Sequence, residues 1–134
     1  MPAFRFEDSG LPASPALTAE VPAGIRTKEG LFEALAQGLH FPDYFGANWN
    51  ALEECIRDLT WLPVGPVVLR HSDLPISNDV SGLKTYLSIL RDAAEKKSSV
   101  PGKRFPDLVI VFPSETKERV ASLLRSAAQD DLKQ

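Results

Sequence analysis

The chain has 134 residues, 43% of them hydrophobic and 25% charged, with a formal net charge of −3 and a pI near 5.4. These values suit a single globular domain and exclude a chain that is disordered throughout. They argue against a general nucleic-acid binder, which needs a basic face, and no run approaches the ~20 apolar residues of a membrane-spanning helix.

Residues 1–15 carry Pro2, Gly10, Pro12 and Pro15 with few core-forming side chains. They read as an arm, with Phe4 and Phe6 at alternate positions suggesting a short strand over 3–7. The arm lacks the basic-then-apolar order of a secretory leader. The single cysteine, Cys55, has no internal partner for a disulfide. Both features lead to the expectation of a reducing cytoplasm.

The compact domain is expected over 16–134. Residues 17–21 alternate apolar and polar and form its first strand, closed by Pro22 and Gly24. Thr27 is placed to cap a helix over 28–39, with Leu31, Phe32, Leu35 and Leu39 at helical spacing. Pro42 separates this helix from the next, and Gly46 is expected to supply the backbone freedom for a tight corner.

A second helix follows over 48–59. At ~100° per residue, Trp49, Leu52, Cys55, Ile56 and Leu59 share one arc and should face the core. Asn50, Glu53, Glu54, Arg57 and Asp58 fall on the opposite arc. Residues 67–70 are a β-branched apolar run and form the next strand. A third helix is expected over 81–97, with Leu83, Tyr86, Leu87, Leu90 and Ala94 inward, followed by a polar loop over 98–106. The run LVIVF at 108–112 is the strongest strand, apolar enough for burial on both faces. Ser114 is expected to cap a last helix over 115–128, with Val120, Leu123, Leu124 and Ala127 as its apolar stripe. Strands alternating with helices imply an α/β fold with a small parallel sheet packed by helices.

Catalytic chemistry is poorly supplied. Two histidines and one cysteine fall short of the four N/S ligands of a structural zinc site, and no phosphate loop or dinucleotide motif occurs, so no cofactor is expected. His71, Ser72 and Asp73 include triad residue types, but adjacent residues do not converge as triad members do. Cys55 sits on the apolar arc and reads as a packed thiol. Glu53 and Glu54 diverge by ~100° around the helix, which is not the paired geometry of a glycosidase acid and base. An enzyme built on His40, His71 or Cys55 is therefore disfavoured, and the pair is left to binding or solvation.

The segment Pro42-Asp43-Tyr44-Phe45-Gly46-x-Asn48-x-Asn50-Ala51-Leu52 resembles the barstar family, small intracellular inhibitors of barnase-type secreted ribonucleases. The family pattern is an aromatic pair, Gly, one residue, Asn, one residue, Asp, Ala, Leu, then an acidic residue. Weaker agreement extends over about 17–113. The resemblance implies a three-stranded parallel sheet packed by helices, to which the helix over 115–128 is an addition. It also implies a site on the second helix and its preceding corner that plugs the nuclease active site. Tyr44 and Phe45 match the aromatic doublet, Gly46 the turn glycine and Asn48 the helix-opening asparagine. Glu54 matches the acid that stands where an RNA phosphate would sit, and Asp92 matches a peripheral acidic contact.

The chain departs from the family prototype at several of these positions. Asn50 stands in place of an aspartate and Glu53 in place of an aromatic residue. Glu54 is one methylene longer than the prototype's acid, Phe45 lacks a tyrosine hydroxyl, and Arg57 lies one turn beyond Glu54, where it can partly neutralise it.

The reading that follows is a non-enzymatic immunity protein, monomeric until bound, whose partner is a basic secreted ribonuclease or nuclease toxin. Its contacts are expected at Tyr44, Phe45, Gly46, Asn48, Asn50, Glu53, Glu54, Arg57, Asp58 and Asp92, with no direct nucleic-acid or membrane contact. The rival reading is a binding module of the same fold whose partner is not a nuclease.

Overall fold

The computed structural model describes residues 4–6, 15–42, 46–59, 61–62, 65–99 and 108–132. Tyr44 and Phe45, the arm over 7–14 and most of the loop expected over 98–106 lie outside the described residues. The elements are β1 (Phe4–Arg5), β2 (Leu17–Val21), α1 (Lys28–Gly38), α2 (Trp49–Asp58), β3 (Val67–His71), α3 (Val80–Ser99), β4 (Leu108–Val111), a 3₁₀ turn (Ser114–Thr116) and α4 (Lys117–Leu132).

The strands form one all-parallel sheet in the order β1-β4-β3-β2. Its register sets Ala19 against Leu69, Leu69 against Ile110 and Ile110 against Phe4. Side chains alternate across a strand, so Phe4, Ala19, Val21, Val67, Leu69, Leu108 and Ile110 share one face. That face joins the apolar sides of the helices in a single core. On the other face Arg5, Thr18 and Glu20 are exposed and Arg70 is half-buried.

The sheet has four strands rather than three. The extra strand comes from the arm, at the alternating phenylalanines. Phe4 is only 4% exposed and meets Phe112 edge-on with ring centroids 5.2 Å apart. Phe6 stacks on the same ring at 6.4 Å. The Phe112 amide donates to the Arg5 carbonyl at 2.9 Å. A two-residue strand holds here because β4 offers an edge to pair with and two rings bury together.

Two helix starts differ in detail from expectation. Ser114 caps nothing with its side chain. After Pro113 the chain tightens into a 3₁₀ turn, and both the amide and hydroxyl of Thr116 donate to the Pro113 carbonyl, at 3.0 and 2.7 Å. α4 then starts at Lys117 and runs to Leu132, burying Val120, Leu123 and Ala127 as its stripe requires. α3 starts one residue early because Asp79 caps it, its Oδ1 accepting the Gly82 amide at 3.0 Å. A Cβ on Gly82 would meet the Asp79 carboxylate, so a side chain there would have to displace the capping group.

The helices between β2 and β3 are fastened by tryptophans. Trp49 meets Phe32 of α1 edge-on at 5.0 Å. Trp61 donates from Nε1 to the Leu39 carbonyl at 2.9 Å, satisfying a carbonyl at the α1 C-terminus that the helix leaves open. Its ring also meets Phe41 at 6.0 Å.

Candidate functional site

The site expected on α2 begins with its cap. Asn48 has extended backbone angles, and its Oδ1 accepts the Ala51 amide at 2.8 Å while its carbonyl accepts that of Leu52 at 2.9 Å. Its Nδ2 reaches back to the Gly46 carbonyl at 3.4 Å. The asparagine thus ties the corner to the helix with both ends of its amide.

The corner solves its geometry differently from expectation. The left-handed residue is Ala47, at φ 51°, and Gly46 is not among the positive-φ glycines. Gly46 matters instead for closeness: a Cβ there would stand 3.3 Å from Asn48 Nδ2. A side chain at position 46 would have to push the Asn48 amide aside by a few tenths of an ångström.

Beyond the cap, the two arcs of α2 separate cleanly. Leu52, Cys55 and Ile56 are buried, as is Leu59 at the C-cap, and Trp49 is half-buried against the core. Leu59 ends the helix in the left-handed conformation, φ 55°, with its amide on the Cys55 carbonyl. On the outer arc Asn50, Glu54 and Arg57 are exposed, and Glu53 and Asp58 are half-exposed. A rigid apolar side therefore holds a polar one in place.

Within that outer face, Arg57 pairs with Glu53 at 3.6 Å, one turn back, with side chains 45% and 44% exposed. Spacings of three and four residues both bring side chains together on a helix, and here the four-residue partner is the one in contact. Glu54 makes no hydrogen bond or ion pair among the described residues.

Asp92 stands apart on α3, the helix packed beside α2. Its side chain is 51% exposed, with Oδ1 3.3 Å from Arg91 Nε. The structure thus brings Gly46, Asn48, Asn50, Glu53, Glu54, Arg57 and Asp58 together on one helix and its approach, and puts Asp92 on the neighbouring helix.

The groups weighed for catalysis have other duties. Cys55 is buried, and burial first, then the nearby Asp58 and Glu54 carboxylates, push its thiol pKa up. That suppresses the reactive thiolate. Ser72 donates to Glu20 Oε1 at 3.0 Å, and Asp73 Oδ2 accepts the Gly24 amide at 3.1 Å. These contacts tie the loop after β3 to β2 and the turn that follows it.

His71, 5% exposed, stacks on Phe112 with centroids 4.0 Å apart. Its Nδ1 lies 2.9 Å from the Val111 carbonyl and its Nε2 2.7 Å from the Tyr86 hydroxyl. A carbonyl only accepts, so Nδ1 carries the proton and Nε2 accepts from Tyr86. This links β3, β4 and α3 through one neutral ring. Burial lowers the imidazole pKa to about 4, against a smaller opposing effect of the Val111 carbonyl, and raises that of Tyr86 well above the usual phenol value. Sequence reasoning left this lock unread, because its partners lie 15 and 40 residues away.

No set of three or more His, Cys, Asp or Glu side chains suited to a metal ion occurs among the described residues. No helix among them is long and apolar enough to cross a membrane.

These features define a small parallel α/β domain with one polar, carboxylate-bearing helix held rigidly by its buried side. A family model described as Barstar (barnase inhibitor) matches residues 19–112, more than half of the chain, from β2 to just past β4. The chain belongs to the barstar family, a family of non-catalytic inhibitors that bind barnase-like ribonucleases. The match leaves out β1 and α4. A search of curated proteins returns no match.

Proposed function

We propose that this protein is a non-catalytic intracellular inhibitor that binds a basic barnase-type ribonuclease and fills its active-site groove with α2 and the preceding corner. Glu54 is the plug, offering carboxylate oxygens to cationic groups that otherwise hold an RNA phosphate. Tyr44, Phe45, Gly46, Asn48 and Asn50 form the corner and upper edge of the contact, with Glu53, Arg57 and Asp58 along the helix and Asp92 at the periphery. An acidic face turned towards a basic groove also accelerates encounter.

One observation carries this reading: Glu54 is exposed and unpaired among the described residues, on a helix whose opposite side is locked into the core. With the backbone so held, binding has only side-chain rotamers left to order. The test is steady-state RNA cleavage by a purified barnase-type ribonuclease at several inhibitor and substrate concentrations. Occupation of the groove gives inhibition that excess RNA overcomes. Inhibition indifferent to RNA concentration, or no inhibition, rejects the reading.

A further inference from the structure

Trp61 and Leu39 lie 22 positions apart in sequence, and the Trp61 Nε1–H donates to the Leu39 carbonyl at 2.9 Å. Every residue assigned to the contact except Asp92 lies between them. The bond therefore closes the base of the segment that carries the site. Trp61 follows α2, where the left-handed Leu59 ends the helix and the Leu62 amide returns to the Leu59 carbonyl. Leu39 ends α1, where the chain sets out for the corner.

The exit from α1 has a conformation that needs fastening. The Leu39 amide donates to the Leu35 carbonyl and the Phe41 amide to the Ala36 carbonyl, with His40 between them at φ 54°. This is a left-handed helix stop of the kind glycine usually serves, built here on a residue with a Cβ. A non-glycine residue in that conformation persists only where its surroundings hold it. Trp61 holds both flanks: its N–H takes the carbonyl just before His40, and its ring meets that of Phe41, just after, edge-on at 6.0 Å. The far end of the corner is fixed separately, by Asn48 on the Gly46 carbonyl and the Ala51 amide. α2 in turn is anchored by its own buried arc.

We infer that Trp61 is a positioning residue for the partner: by locking the turn over residues 39–41 it aims the corner that carries Tyr44 and Phe45, while Glu54 on α2 keeps its own support. This rests on the inhibitor reading and divides its contact into two separately held parts. A preorganised segment binds more tightly because its ordering is already done in the free protein. Without the lock, that cost moves to the binding step.

The experiment uses the full chain and a purified barnase-type ribonuclease. Inhibition constants are measured for the parent, Trp61→Phe, Glu54→Gln and the corner variant Tyr44→Ala with Phe45→Ala, and for Trp61→Phe combined with each of the last two. Urea midpoints show that each protein is folded under the assay conditions, and Phe4→Ala, at the far edge of the sheet, controls for lost stability alone. Trp61→Phe keeps a ring against Phe41 and removes the N–H; it should weaken inhibition about tenfold, while Phe4→Ala leaves inhibition unchanged. In the corner variant the effect of Trp61→Phe should largely vanish, because the rings it aims are gone, and beside Glu54→Gln it should persist in full. Where Trp61→Phe fails to fold, benzothienylalanine at position 61, which keeps the bicyclic shape and lacks the N–H, takes its place. An effect that adds fully to that of the corner variant, or no effect while Glu54→Gln still weakens inhibition, overturns the inference alone. If the parent inhibits no enzyme, the inhibitor reading itself has failed and the inference falls with it.

Discussion

His71 makes stability depend on pH in a way that can be calculated before it is measured. Its ring is neutral in the fold, with Nδ1–H on the Val111 carbonyl and Nε2 taking the Tyr86 hydroxyl. A second proton on Nε2 displaces the Tyr86 hydrogen bond and puts a charge among Phe112, Tyr86 and two strands. The folded pKa is depressed from 6.5 to about 4, so the unfolded chain binds the proton first as pH falls. This contribution is complete above about pH 6.5 and is lost between there and pH 4. At ~1.36 kcal/mol per pH unit, the loss across the window is roughly 3 kcal/mol.

The assay is urea denaturation of the parent and His71→Phe at half-unit intervals from pH 7.5 to 4. Carboxylates titrate in both proteins, so the difference between the two curves isolates the imidazole. His71→Phe leaves the Val111 carbonyl and Tyr86 hydroxyl without their partner and should cost about 1–3 kcal/mol at pH 7.5. The gap should fall by roughly 3 kcal/mol towards pH 4, closing or changing sign, as the parent alone loses the histidine's contribution. A gap constant with pH, or a resonance assigned to the His71 imidazole titrating near 6.5 in the folded protein, refutes the buried neutral lock.

Three further outcomes follow from the fold and the corner. Asn48→Ala removes the side-chain acceptor of the Ala51 amide and should cost about 1 kcal/mol in chemical denaturation. Neighbouring changes should have opposite signs: Ala47→Gly relieves a left-handed alanine and stabilises by about 0.5–1 kcal/mol. Gly46→Ala places a Cβ 3.3 Å from Asn48 Nδ2 and destabilises, both read as shifts in urea midpoint. Phe4→Ala empties a buried ring site at the sheet edge and should cost about 3 kcal/mol; a loss under 1 kcal/mol would show that β1 adds little to the sheet.

The parts legible in the sequence were those governed by period. Leu17–Val21 buries Ala19 and Val21 and exposes Thr18 and Glu20, as alternation requires. α2 divides into a buried and a polar arc at 100° per residue because one side packs on the core and the other does not. What escaped depends on distance or on small energy differences. The alternating phenylalanines did suggest the strand that appears as Phe4–Arg5, but its pairing with β4, more than 100 residues away, lay beyond any local pattern.

Local choices were equally hidden. Glycine favours positive φ intrinsically, yet the Asn48 cap places the left-handed residue at Ala47. Arg57 had acceptors at both helical spacings, and the pattern alone could not say that Glu53 is the one it meets. Pro113 draws the following residues into a 3₁₀ turn, where a lone serine had suggested a cap.

The inhibitor account is tested most directly by the inhibition constant of Glu54→Ala against a ribonuclease the parent inhibits, measured beside its melting temperature. Loss of one member of a buried charge pair costs about 2 kcal/mol or more (a scale set partly on the barnase–barstar pair itself), or about thirtyfold in affinity. The account predicts at least that weakening with melting unchanged within a few degrees. An unaltered inhibition constant in a folded variant would mean that the exposed carboxylate of α2 is not what enters the groove.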